Sequence, residues 1–245
     1  MPMSIAGLRW VPAPTANAVF AWYRTLYLHI VAFLHYILPH RQLPPLDSPD
    51  CEGTLASINV GAGIPKRPVV RALVTGQGLL GDKQLTGFLE PWGGHGGADK
   101  AVMLWSKEVI EQVASEGHPM CQSGRCGEQL TLAGIDWRLV KTGATVRIGA
   151  SVLLEVTFLK MPCGAQQPNF TDAGSGMQRI SPQYYPDSSR VLARVLQGGH
   201  VMVGDTVALH RSPHATSGVV VRSRIYATAF VSQEYNTVHS PASSL

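Results

Sequence analysis

The chain has 245 residues, enough for one large domain or two small ones with a sizeable core. Only 15% of the residues are charged while Gly (25) and Pro (17) are plentiful, which suits a loop-rich β domain and neither a helical bundle nor a disordered chain. The net charge of +4 is scattered rather than clustered, so nucleic acid is not an expected partner and a phosphate-bearing ligand suits the balance better.

No Asp or Glu precedes Asp47, whereas Arg9, Arg24 and Arg41 do occur. Ala18 to Leu38 is apolar and aromatic, interrupted by Arg24, His29 and His35. A stretch of ~20 residues is long enough to span a bilayer, but a central Arg or His is costly there. No clear secretory cleavage site follows Leu38. An acid-free, Arg-bearing leader fits a mitochondrial presequence or a membrane anchor. A helix packed on the main domain, or a poorly ordered extension, is the plain alternative. The expected location is accordingly cytoplasmic or mitochondrial, with residues 18–38 as the point of any membrane association. Pro39, Pro44, Pro45 and Pro49 make a stiff linker. The expected organisation is a leader and linker (1–50), a main domain (51–211) and a C-terminal extension (212–245).

Within the main domain, Thr54 to Val60 reads as a first strand and Val69 to Val74 as a second, around a turn at Gly61 to Pro65. Thr75 to Gly81 bends sharply at its three glycines. Ala101 to Trp105 reads as a strand. Ser106 then caps a helix that buries Val109, Ile110 and Val113 and stops at Glu116-Gly117. Gly127 to Thr131 leads into another strand, with a turn at Gly134-Ile135-Asp136. Thr145 to Ile148 and Val152 to Phe158 are strands. The apolar spacing from Ser188 to Leu196 predicts a helix ended by Gly198-Gly199. Gly204 to Leu209 reads as a closing strand, and Val219 to Phe230 as one or two more. Many short strands with only two or three helices predict a closed β-barrel or a sandwich.

The four cysteines are Cys51, Cys121, Cys126 and Cys163, and they lack the spacing of a small disulfide scaffold. They read as free thiols in a reducing compartment, with a Cys121–Cys126 bridge left open. Cys163 stands apart. The strand before it stops at Pro162, which cannot donate to a sheet ladder. The thiol therefore falls where an ordered strand gives way to an irregular Gly/Pro/Gln segment, held but reachable. It can be a small buried hydrophobe, a soft ligand for molybdenum, copper or zinc, or a nucleophile that still needs a base. His118, Cys121 and Cys126 offer three zinc ligands in an unusual spacing. Gly93 to Lys100 has four glycines around His95, which lets backbone N–H groups approach an anion; no Gly-Lys-Ser/Thr closes it as a Walker A loop. Glu128 starts a strand and is a ligand anchor or a structural acceptor.

Several stretches together resemble the MOSC domain, the module named after the C-terminal part of molybdenum cofactor sulfurase. They are Gly78 to Lys83, His95 to Val102, Gly127 to Thr131 with Gly134 to Asp136, Arg147 to Gly149 with Leu154 to Val156, Lys160-Met161-Pro162-Cys163, and Leu192 to Gly199 with Val203 to Asp205. Any one of them is weak; the ordered set, from about Gly53 to His210, is specific. The resemblance implies a mainly β fold with a few helices, a closed β-barrel of the pyruvate-kinase-barrel type. It implies that Cys163 matches the cysteine that ligates molybdenum in members carrying molybdopterin. The pattern is similar to small stand-alone reductases of N-hydroxylated compounds, which take electrons from external donor proteins. The implied cofactor contacts are backbone groups at Gly96 and Gly97, with Asp99 and Glu128, and the cations Lys66, Arg67, Lys100 and Lys160. His95 is the implied proton donor or relay. A cofactor carrier or sulfur-delivery protein is the non-catalytic alternative, and the family also has an association with pyridoxal phosphate. The chain departs from the pattern at Gln129, where Asn is usual, and at Cys126, where an aromatic residue is common. Leu85 to Trp92 is longer and more apolar than the pattern leads one to expect and is placed to cover the pocket.

Overall fold

The computed structural model describes residues 48–82 and 96–212, together with Leu26, His29 and Ile30, which are helical and exposed. The expectations for His95, for Leu85 to Trp92, for most of residues 18–38 and for Val219 to Phe230 lie outside the described residues. Among the described residues no helix is long and apolar enough to cross a membrane.

In chain order the first elements are β1 (Cys51–Val60), β2 (Arg67–Val69), β3 (Arg71–Thr75), β4 (Gly78–Leu79), β5 (Val102–Ser106) and α1 (Lys107–Ser115). Then come β6 (Leu130–Ala133), β7 (Thr145–Ile148), β8 (Val152–Leu159), α2 (Ala173–Arg179), β9 (Val191–Gln197), β10 (Gly199–Met202) and β11 (Thr206–His210). Seven strands close into a barrel in the order β1, β11, β7, β8, β9, β5, β6 and back to β1. Only β5 and β6 run parallel in this ring, and α1 lies on the connection between them. β2 pairs with β1 outside the ring, and β10, β3 and β4 form a small separate sheet.

The closure follows from side-chain alternation. Val146 and Ile148 of β7, Val152, Leu154 and Val156 of β8, and Val207 and Leu209 of β11 are all fully buried. Their neighbours along each strand point outward, so one apolar face per strand fills the interior. β1 carries a bulge between Leu55 and Ser57 where it meets β6, which bends it round the ring.

Helix α1 starts as the sequence dictates. Ser106 Oγ accepts the Val109 N–H at 3.2 Å and donates to Glu108 Oε2 at 2.7 Å. The other Glu108 oxygen accepts the Gly134 N–H at 2.7 Å, tying the helix start to the end of β6. Val109, Ile110 and Val113 are buried. Ser106→Ala removes both of its hydrogen bonds and is expected to cost about 1–2 kcal/mol, read as a lower urea midpoint at unchanged slope.

One predicted element is corrected. Ser188 to Leu196 is not a helix: Val191–Gln197 forms β9, paired with β5 on one side and β8 on the other. Val191, Leu192, Val195 and Leu196 have helical spacing, but the outer face at Leu192 is covered by the turn Ala98–Lys100, so strand alternation is hidden. The strand expected over Val69 to Val74 breaks at Val70 into β2 and β3. The short elements β4, β10 and α2 are additional to those expected. All four cysteines are free thiols, so Cys121 and Cys126 are not bridged.

Candidate functional site

Strand β8 ends at Leu159, and the Lys160 N–H donates to the Arg190 carbonyl at 2.8 Å as a last rung toward β9. Beyond Pro162, Cys163 caps a 3₁₀ turn, Gly164–Asn169. The Gln166 N–H donates to the Cys163 carbonyl at 3.0 Å, and Gln166 Oε1 accepts the Cys163 N–H at 2.6 Å. Gln166 is itself buried, and its Nε2 donates to the Cys126 carbonyl at 3.4 Å. The backbone of Cys163 is thus fixed from behind while the residue is exposed.

Positive charge gathers beside it. Arg190 is fully buried. Its Nη1 donates to the Cys126 carbonyl at 2.5 Å and its guanidinium lies 5.9 Å from the Trp105 ring centre. Its Nε and Nη2 find no hydrogen-bond partner among the described residues. Burial lowers its pKa, against the pull of Cys126, Glu128 and Cys163. Lys160 is partly buried; burial lowers its pKa first, Arg190 and Lys100 lower it further, and Cys163 opposes them. Lys100 closes the turn Ala98–Lys100 that follows Gly96 and Gly97, whose φ values of 82° and 90° favour glycine. A side chain at Gly97 would meet no atom of the described residues within 4 Å. The single Thr157 hydroxyl proton is shared between the Asp99 carbonyl at 2.6 Å and the Leu192 carbonyl at 2.9 Å, which docks this turn on β8 and β9. The Asp99 carboxylate faces Arg194 at 3.2 Å.

Other residues singled out in the sequence have different settings. Lys66 is buried and paired with Asp82 at 2.5 Å, so its ammonium is already committed. Asp82 also accepts the Gly61 N–H and a Gln129 Nε2 hydrogen, each at 3.1 Å. Gln129 Oε1 in turn accepts the Met103 N–H at 2.8 Å. Gln129 therefore bridges β5 and Asp82. Arg67 is exposed on β2, outside the barrel ring. Glu128 is fully buried and accepts the Gly124 N–H and the Thr131 hydroxyl, while its other oxygen has no hydrogen-bond partner among the described residues. Burial raises its pKa to about 7.

His118, Cys121 and Cys126 do not assemble a zinc site. The His118 ring packs edge-on to Phe170 at 5.3 Å, and among the described residues no group of three or more His, Cys, Asp and Glu is placed to hold a metal. The Cys121 thiol and burial together raise the Cys126 pKa, which makes it inert. Arg190 and Gln166 are additional to the expected residues. Nothing local marks Arg190, which follows two serines. Only the ladder that sets it opposite Lys160 shows where it lies.

The closed β-barrel thus carries a reachable, backbone-fixed thiol at one strand end, with Lys160 and Arg190 near it. The family model of the MOSC domain matches residues 93–208. That match takes in just under half of the chain. That family is associated with the molybdenum cofactor. Over 158 residues, 63% of this chain, it is 25% identical to a protein named Reductase from Gibberella moniliformis, of which the match spans only 26%. The solved YUAD protein of Bacillus subtilis matches with a TM-score of 0.51 at 15% identity, over 65% of this chain and 96% of that one, and shows the shared fold. The YiiM structure from Geobacillus stearothermophilus aligns at 25% identity over 64% of this chain and 74% of that one, with a TM-score of 0.47.

Proposed function

We propose that this chain holds a molybdenum cofactor through Cys163 and reduces small N-hydroxylated compounds with electrons from external donor proteins. The observation that carries the reading is a reachable thiol fixed at the end of β8 near two cations, Lys160 and Arg190, with Lys100 close to Lys160. The donor set fits the group: a soft sulfur ligand suits molybdenum, and cations suit the phosphate of its pterin. Two nitrogens of the buried Arg190 have no hydrogen-bond partner among the described residues, which favours an anionic group nearby. When bound, the cofactor supplies two-electron redox chemistry suited to breaking an N–O bond.

The protein's own residues bind and orient. Cys163 supplies the sulfur, and Gln166 sets its backbone. Lys160 and Lys100 hold the phosphate, and among the described residues nothing crowds Gly97 against a ligand. Lys66 is a poorer phosphate contact because Asp82 already neutralises it. His95 is retained as the proton donor.

The test is metal and pterin analysis of the full chain expressed in a cofactor-competent host, followed by amidoxime reduction with a supplied electron donor. Near-stoichiometric molybdenum is expected, falling roughly tenfold or more in Cys163→Ser. A molybdenum-free wild-type protein would sink the reading. The exposure of Cys163 also favours a second reading, a carrier that hands over cofactor or persulfide sulfur. Bound molybdenum without reduction of any amidoxime or hydroxylamine selects it.

A further inference from the structure

The outer wall of the barrel at β1, β11 and β7 carries a groove of about 540 Å³. It reaches the β7–β8 turn at Gly149 and Ala150, the end of β8 opposite to Cys163, so it is separate from the site above. Its floor follows from register. Ala208 pairs with Glu52 on one side and with Arg147 on the other. Opposed residues share a face of the sheet. Val207 and Leu209 fill the interior, so Glu52, Ala208 and Arg147 form a row facing out. A short alanine between two long charged side chains makes the concavity, and Thr206 and His210 extend it along β11.

The walls carry opposite charges. Glu52 and Arg147 stand two inter-strand spacings apart, about 10 Å at the backbone. The Arg147 guanidinium is steadied by the Gly149 and Ala150 carbonyls at 3.4 and 3.5 Å. His210 Nε2 is buried and finds no hydrogen-bond partner among the described residues. Asp205 is already used: it accepts the Met202 N–H at 2.8 Å and packs against Gly149. The groove therefore has the Glu52 carboxylate on one wall, the Arg147 guanidinium on the other, the His210 imidazole along its floor, and the Asp205 carboxylate at its Gly149 end.

We propose that this groove binds a zwitterion carrying an ammonium and a phosphate, the ammonium at Glu52 and the phosphate at Arg147 and His210. A tetrahedral phosphate has acceptor oxygens for two donors arriving from different directions. Two sources share this chemistry, a free phospho-amine and a phospholipid headgroup. The exposed Val70, Met202 and Val203 border the Gly204 end of the groove, where acyl chains of a lipid would lie.

The test is calorimetric titration of the full chain with phosphoethanolamine. Saturable binding is expected, weakened about tenfold in Arg147→Gln and in Glu52→Gln. Ethanolamine and glycerol 3-phosphate, each lacking one charge, should bind about tenfold more weakly for the same reason. Circular dichroism checks that the variants fold. The second arm is hydrogen exchange on vesicles, read locally over residues 199–210 because the apolar stretch 18–38 offers an independent membrane contact. Protection on phosphatidylcholine–phosphatidylethanolamine vesicles but not on phosphatidylglycerol vesicles assigns a lipid headgroup. Binding of phosphoethanolamine alone assigns a free ligand. Absence of both overturns the proposal, and so does binding that neither substitution weakens. Molybdenum content plays no part in the outcome, so this test and that of the Cys163 reading fail independently.

Discussion

Replacing Asp82 by Ala is expected to destabilise the domain by about 3–5 kcal/mol, among the largest losses for any single residue outside the hydrophobic core. Lys66 and Asp82 meet at 2.5 Å with almost no exposed side-chain surface. Removing the carboxylate leaves an ammonium with no counter-charge in a low-dielectric setting. It also strands the Gly61 N–H and the Gln129 amide, which both donate to Asp82. A lone buried charge is worse than no charge, so the double variant Lys66→Met/Asp82→Leu should recover most of the loss. Urea unfolding of the single and double variants measures this. Additive losses in the two single variants, with no recovery in the pair, would show that the ion pair is not what matters. The result also bears on the family pattern. The Gly-Asp-Lys piece and the Gly-Glu-Gln-Leu piece lie far apart in the chain and meet at the Asp82–Gln129 hydrogen bond.

Glu128→Gln is expected to stabilise the domain at neutral and alkaline pH and to leave it unchanged in acid. Burial raises the folded pKa of Glu128 to about 7 from an ordinary 4.5. Below pH 4.5 the carboxyl is protonated both folded and unfolded, and its stabilising contribution is fully present. Between 4.5 and about 7 the unfolded chain releases the proton while the folded one keeps it, so stability falls as pH rises. Above that range the loss is complete and constant. The gap corresponds to about 3 kcal/mol, and the hydrogen bonds lost with the carboxylate reduce the net gain to about 1–3 kcal/mol. Glutamine keeps an acceptor for the Gly124 N–H and carries no charge. Unfolding midpoints of both proteins from pH 4 to 8 test this (a scan set around the ~4.5 reference). A difference that does not change with pH would mean that the carboxyl is not titrating in the folded state.

Much of the fold was legible because it rests on local rules. The alternation in β7 and β8 sets which side chains fill the barrel, Ser106 announces α1, and Pro162 ends the strand before Cys163. The ordered Gly-rich pieces gave the closed barrel through resemblance. What escaped depends on packing at long range. β9 resembles a helix because its outer face carries the buried Leu192 and the exposed but apolar Leu196. Helix α2 has two glycines among its seven residues and no apolar stripe to betray it. At the candidate site, the placement of Cys163 and Lys160 just past a strand end was readable from the sequence. Arg190 was not, because its sequence neighbours carry no sign that a guanidinium will be sealed inside. Lys66 looked like a free cation only because Asp82, its partner, lies sixteen residues on.

The pairing of β1 with β11 sets the order in which this domain can be made. Cys51 is the first residue of the barrel and its partner Leu209 is nearly the last, with Asp50 and Arg211 locked together just beyond them. A chain emerging from the ribosome carries the start of β1 as an unpaired edge until His210 has been synthesised. Closing so long a loop is slow, and an open strand edge invites pairing with another chain. Newly made protein is therefore most exposed to misassembly through β1, and the finished ring has no such edge there. The same adjacency lets the two barrel ends be joined by a short linker and the chain reopened at the β7–β8 turn, a permutation in which β7 and β8 would become the last pair to meet.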